Sequence, residues 1–152
     1  MLTNILYDAK ADIKGGKDFP KINGTVYFKQ TKNGVMVTAK IKNLPQAKDN
    51  CTGRFFGFHI HSGNSCTGNA EDEFANVKTH YNPTNCPHPF HKGDLPPLIE
   101  NNGDAYMSVL INKFTVKDII GRTVVIHDSP DDFTTQPSGN SGKKIACGVV
   151  RR

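Results

Sequence analysis

Thr25-Val26-Tyr27-Phe28-Lys29-Gln30 and Val35-Met36-Val37-Thr38-Ala39-Lys40-Ile41-Lys42, joined across Asn33-Gly34, place an apolar side chain at every second position. Successive side chains of an extended strand point to opposite faces, so this period of two presents one face to a core and one to water. Asn-Gly supplies the backbone conformations that a tight hairpin turn needs. The stretch therefore predicts an antiparallel hairpin. Further short β-type runs lie at Asn4 to Lys10, Phe55 to His61, Thr79 to Tyr81, Ala105 to Ile111 behind the turn signal Asn102-Gly103, Thr123 to His127 and Ile145 to Arg151, about eight strands in all. No long segment keeps an i, i+3, i+4 apolar stripe, and Thr115 to Ile120 is the nearest candidate for a helix. Many short strands with Gly- and Pro-rich connections predict an all-β fold, an antiparallel sandwich or barrel.

The chain has 152 residues, 36% hydrophobic and 22% charged, which fits one domain spanning 1–152 with a sizeable core. No apolar run approaches the ~18 residues that a membrane span needs, and Met1-Leu2-Thr3-Asn4-Ile5-Leu6 breaks off at Tyr7-Asp8, too early for an export signal. A cytoplasmic protein without a membrane partner is the expectation, in the host cytoplasm or virion if the source is viral. The net charge of +5 favours anionic partners, but the basic residues are scattered and Trp is absent, so nucleic acid is not expected. Four cysteines, Cys51, Cys66, Cys86 and Cys147, lack C-x-x-C spacing and are few for a disulfide scaffold.

Five of the six histidines fall between positions 59 and 91. His59-Ile60-His61 is an i, i+2 pair on a predicted strand, so both imidazoles share one face. His80, His88, His91 and Asp94 follow on a Pro- and Gly-rich stretch and offer three nitrogens and one oxygen, a set suited to tetrahedral zinc. His127 closes the run Thr123-Val124-Val125-Ile126. Two long connections, from Ser62 to Lys78 and on through Asn82 to Asn102, and from Asp128 to Lys144, have no regular pattern. Long loops in compact domains are usually functional or disordered. Because the first holds most of the histidines, metal is expected to order it.

Lined up, Gly57-Phe58-His59-Ile60-His61, His80-Tyr81-Asn82-Pro83, His91-Lys92-Gly93-Asp94-Leu95, Ile120-Gly121-Arg122 through His127, and Gly139-Asn140-Ser141-Gly142 through Ala146-Cys147-Gly148-Val149-Val150 closely resemble the copper, zinc superoxide dismutases, over nearly the whole chain. The resemblance implies an eight-stranded, flattened Greek-key β-barrel with two long functional loops. It implies copper at His59, His61, His80 and His127, zinc at His80, His88, His91 and Asp94, and His80 as the bridge between them. It assigns Asp131 to the carboxylate linking a copper-ligand histidine to a zinc-ligand one, and Cys66–Cys147 to the intrasubunit disulfide. The implied activity is conversion of superoxide to dioxygen and hydrogen peroxide, with His80 moving a proton. Most intracellular relatives are dimers, so a homodimer burying apolar surface near the disulfide loop and C-terminal strand is expected; the copper-loading partner is unknown.

The chain departs from that pattern in informative places. Lys144 stands where the family usually has the arginine that guides superoxide, which keeps the charge and loses the planar fork of donors. The segment Asn85-Cys86-Pro87-His88-Pro89-Phe90 is altered around His88, and the loop from Asp128 to Lys144 is short, like that of bacterial members. A second bridge between Cys51 and Cys86 remains open, as does Cys86 as a metal ligand. Asn23-Gly24-Thr25 and Asn50-Cys51-Thr52 match the glycosylation pattern and are expected to be idle. The competing functional reading is a non-catalytic relative, a metal buffer or copper-delivery domain; a structural zinc domain would require one of His59, His61 or His127 to be unavailable.

Overall fold

The predicted hairpin forms with the Asn33-Gly34 turn between β2 (Asn23–Thr31) and β3 (Gly34–Lys42), paired from Asn23↔Lys42 to Thr31↔Gly34. The protein was examined as a computed structural model, which describes residues 6–49, 51 and 53–152. Val26 and Phe28 of β2 and Val35, Val37, Ala39 and Ile41 of β3 are buried, as the alternation requires. The remaining strands are β1 (Ala9–Gly15), β4 (Phe55–Phe56), β5 (Phe58–His61), β6 (Leu98–Ile99), β7 (Ala105–Ile111), β8 (Thr123–His127) and β9 (Lys144–Arg151). They form a seven-stranded sheet in the order β5-β8-β9-β1-β2-β3-β7 and a two-stranded piece, β4-β6, and every pairing is antiparallel. Because β6 touches β7 and β4 runs directly into β5, the two pieces curl toward one another. The non-sequential neighbours β3-β7 and β9-β1 are Greek-key connections.

Three expectations are corrected in detail. The first strand runs over Ala9–Gly15 rather than Asn4 to Lys10, positions 4 and 5 lying outside the described residues. The stretch from Phe55 to His61 is interrupted at Gly57, whose N–H donates to Ser129 and whose carbonyl accepts from His127. Thr79 to Tyr81 forms no strand of its own; His80 makes an isolated bridge to His61, and the further strand is β6, inside the long loop. Among the described residues, helix is confined to a 3₁₀ turn at Ala75–Val77 and α1 (Val116–Ile119), started by a capping box between Thr115 and Asp118.

β5 and β8 place the site. Phe58, Ile60, Val124 and Ile126 point into the main core, while His59, His61, Val125 and His127 face outward. That outer face is buried as well, because the two long loops cover it. Val125 packs there with Phe74, Val77 and Cys147 in a second apolar cluster, beside Cys66. The outer surface of β1 and β9 is different: a groove of about 570 Å³ carries Lys10, Lys14, Lys17, Arg151 and Arg152 against Asp12 and Glu73.

Candidate metal centre

Backbone pairing brings distant residues to the outer face of β5. His59 and His61 lie side by side by strand period, and β8 runs antiparallel to them, so its last residue, His127, arrives beside His59. The β8–β9 register shifts between Ile126 and His127, an irregularity that re-aims a strand-end side chain. Isolated bridges then hang the long loop on the same strand, His80 opposite His61 and Asp94 opposite His59. Main-chain bonds from Tyr81 N to Ile60 O and from Ile60 N to Gly93 O hold both crossings.

Two groups result. One ligand atom from each of His59, His61, His80 and His127 lies within 4.8 Å of the others, and the same holds for His80, His88, His91 and Asp94. His80 belongs to both. All seven side chains are buried. The second nitrogen of most rings is fixed: His61 Nδ1 donates to Lys78 O (2.8 Å), His127 Nδ1 to Gly142 O (3.3 Å), and His59 Nε2 and His88 Nε2 donate to the two oxygens of Asp131, each at 2.8 Å. Asp131 thus ties one group to the other.

The inward nitrogens are what test a metal. His59 Nδ1 and His80 Nε2 are buried without a hydrogen-bond partner; His88 Nδ1 is too, lying 3.1 Å from Asp94 Oδ2 without hydrogen-bond geometry. His61 Nε2 and His127 Nε2 face each other at 3.3 Å, and so do His80 Nδ1 and His91 Nδ1. Buried polar atoms are almost always satisfied, so lone pairs converging on two points fit two cations. Four imidazoles suit copper, and three imidazoles with a carboxylate suit zinc.

Protonation agrees. Burial lowers His59 to about 4 against the pull of Asp131, and lowers His127 to about 3; it also drives His61 well down. These rings are neutral at pH 7, as ligands must be. Burial acts to raise the Asp131 carboxyl, but hydrogen bonds from His59 and His88 outweigh it and hold the group well below the usual carboxylate range. Asp94 is lowered in the same way by His80.

A cavity of about 390 Å³ opens on the four-histidine group, lined by His61, His80, His127, Pro137, Gly142 and Lys144. Lys144 therefore stands where the sequence placed it, but its ammonium is held by Asp72 Oδ2 at 2.5 Å and lies 3.4 Å from Phe74 O. Cys66 and Cys147 are bonded. Cys51 and Cys86 are free thiols, so the second bridge left open by the sequence does not form, and Cys86 joins neither ligand group. Asn23 is exposed and donates to Lys21 O, whereas Asn50 and Thr52 lie outside the described residues.

Several contributors carry no sequence signal. Asp72 and Lys144 meet across 72 residues, and Lys113 Nζ donates to the carbonyls of Asp94 (3.1 Å) and His91 (3.4 Å). Arg122, within a quoted motif, stacks on Tyr81 at 4.6 Å and donates to Ser62 O. Gly139, at φ +72°, lies so close to the Asp131–His88 contact that a Cβ would fall 2.0 Å from Asp131 Oδ1 and 2.7 Å from His88 Nε2.

A Greek-key β-barrel carrying two buried ligand groups that share one imidazole defines the class: a protein with a double site suited to copper and zinc. The family described as copper/zinc superoxide dismutase (SODC) matches residues 22–150, and the chain belongs to that family. It is 33% identical over 137 residues to superoxide dismutase [Cu-Zn] 1 of Aquifex aeolicus, covering 80% of this chain and 76% of that one. It is 32% identical over 154 residues to superoxide dismutase [Cu-Zn] of Photobacterium leiognathi, covering 92% and 83%. The solved Cu/Zn superoxide dismutase from Brucella abortus superposes with a TM-score of 0.79 at 24% identity, over 95% of this chain and all of that one, which shows the fold.

Proposed function

We propose that the chain, one domain over 1–152, is an enzyme that converts superoxide to dioxygen and hydrogen peroxide. The observation that carries this is the shared, buried His80, its Nε2 aimed into the four-histidine group and its Nδ1 at the zinc-type group. His59 Nδ1, His61 Nε2, His80 Nε2 and His127 Nε2 would hold copper; His80 Nδ1, His88 Nδ1, His91 Nδ1 and Asp94 would hold zinc. Bound there, copper would supply a one-electron couple and zinc a fixed positive charge.

The chain's own residues do the rest. When copper does not engage it, His80 Nε2 would hold one proton at the cavity and pass it to the product, the second proton of hydrogen peroxide coming from water. Lys144 attracts the anion into the cavity it shares with His61, His80 and His127. Asp131 holds His59 and His88 in the tautomers that leave Nδ1 free for metal.

The competing reading is a superoxide dismutase-like protein that buffers or delivers copper. All four copper-type histidines are present and converge, which favours the enzyme. Metal analysis with pulse radiolysis of as-isolated and copper-loaded protein decides between them. Zinc alone, with no dismutation after copper loading, would overturn the enzyme reading.

A homodimer belongs to the same proposal, but through a face other than the one expected. Beside the disulfide and C-terminal strand lie Lys10, Lys14, Arg151 and Arg152, which a two-fold axis would oppose to themselves. Phe55, Ile99, Tyr106 and Leu110 on β4, β6 and β7 are exposed and apolar, and suit a self-contact. Sedimentation at 16.7 kDa would exclude the dimer. No helix among the described residues is long and apolar enough to cross a membrane. The cytoplasmic location, or host cytoplasm or virion for a viral source, is tested by fractionation.

A further inference from the structure

His88 sits in Cys86-Pro87-His88-Pro89, where a metal ligand is hard to hold. Proline has no N–H, so His88 carries the single main-chain donor between positions 87 and 89, and a neighbouring strand cannot form a ladder with this segment. A side-chain amide takes the place of that strand. Gln136, 48 residues away on the other loop, accepts from His88 N–H through Oε1 at 2.8 Å and donates to His88 C=O through Nε2 at 2.7 Å. Two residues earlier the same device recurs: Asn82 accepts from Cys86 N–H at 3.0 Å and donates to Cys86 C=O at 2.8 Å. Residues 86 and 88 are thus each clamped by one carboxamide, and the prolines between and after them need no donor partner.

Asp131 and the Gln136 clamp act on different parts of His88, whose side chain is fully buried. Asp131 fixes His88 Nε2, which sets the rotation of the ring but not the position of the backbone that carries it. The Gln136 clamp fixes that backbone. It also spans the gap between the zinc-bearing loop and the loop that supplies Gly142 and Lys144 to the copper-type cavity.

We infer that Gln136 is a positioning residue for zinc: its carboxamide holds the main chain of His88 so that Nδ1 meets His80, His91 and Asp94 at one point. The inference rests on the zinc assignment proposed above. Gln136 is exposed and outside both ligand groups, so its replacement leaves the barrel core untouched.

The test uses the full chain, stripped and then loaded with zinc alone, in competition with a chromophoric chelator, and with cobalt(II) as a spectroscopic probe of the same position. Gln136→Ala is expected to weaken zinc about tenfold, the low end for loss of a partner outside the coordination sphere, and to weaken and shift the tetrahedral cobalt bands. Gln136→Glu keeps the acceptor for His88 N–H, loses the donor, and should fall between wild type and Ala. In a His88→Ala background, Gln136→Ala should add nothing further. Wild-type zinc affinity and cobalt spectrum in Gln136→Ala, or an equal further loss without His88, would overturn the inference. A wild-type chain that takes up no zinc would overturn the zinc assignment itself, a result distinct from an unaffected Gln136 variant.

Discussion

In the metal-free protein the buried histidines should act as an acid switch on stability. In the metal-free fold His59 protonates at about 4, His127 at about 3 and His61 well below 6.5, the common cause being burial, while each titrates near 6.5 once unfolded. The unfolded chain therefore binds protons first as pH falls, so folding is favoured above 6.5 and loses ground below it. At pH 5 His59 and His127 alone approach a difference of two protons, a slope of about 2.5 kcal/mol per pH unit and a loss of about 4 kcal/mol from pH 7 to 5; His61 and His91, lowered chiefly by burial, add in the same direction. That approaches the whole stability of a marginal domain. Asp94 and Asp131 add nothing in this window, because their lowered values leave them ionised in both states above pH 5. Urea unfolding of stripped and of copper- and zinc-loaded protein at pH 7, 6 and 5 reads the slope directly. Loading should raise stability at every pH yet leave the slope at least as steep, because metal-bound nitrogens carry no protons in the native state while the unfolded chain, its metals released, still binds them. A stripped protein whose stability falls by the equivalent of less than one proton across this range would refute the reasoning.

Two substitutions and the reduction of a disulfide extend the test. Asp131→Asn leaves one acceptor for two ring N–H donors, so one histidine must carry its proton on the ligating nitrogen; metal affinity should drop about 10- to 100-fold, and unchanged chelator competition would contradict this. Lys144→Met should lower the superoxide rate constant about tenfold at low ionic strength, the gap closing as salt screens the charge. Equal rates by pulse radiolysis would remove Lys144 from guidance. Reducing Cys66–Cys147, which closes an 81-residue separation, should cost about 4.5 kcal/mol in the chain-entropy account, read as a shift in the denaturant midpoint.

What was legible in the sequence was what repeats locally. Period two in the hairpin, and short β-type runs at Ala105 to Ile111 and Thr123 to His127, gave strands; the last is buried on both faces and so reads as a continuous run. The first strand was misplaced because its inward side chains, Ala9, Ala11 and Ile13, are mostly small and make a weak apolar signal beside Ile5 and Leu6. β6 is two residues long behind Pro96-Pro97, too short for any period. His59, His61, His80, His88, His91 and Asp94 stood out by residue type and spacing, whereas His127 and the division into two groups came only with the family resemblance; the structure gathers all seven side chains. Asp72, Lys113 and Gln136 were not found as contributors because each acts through one contact across a long sequence gap, and a single polar residue in a polar loop looks like any other.

Gly139 bears on how this molecule can change over generations. The loop from Asp128 to Lys144 is largely exposed, so most of its side chains reach solvent. Position 139 is closed to every other amino acid: even a methyl group would wedge into the contact between Asp131 and His88. A lineage could therefore vary exposed side chains along this loop, and with them the rim of the cavity, while the single hydrogen at position 139 stays fixed. Random mutagenesis that spares the histidines should find its silent failures there, in well-folded chains that shed zinc.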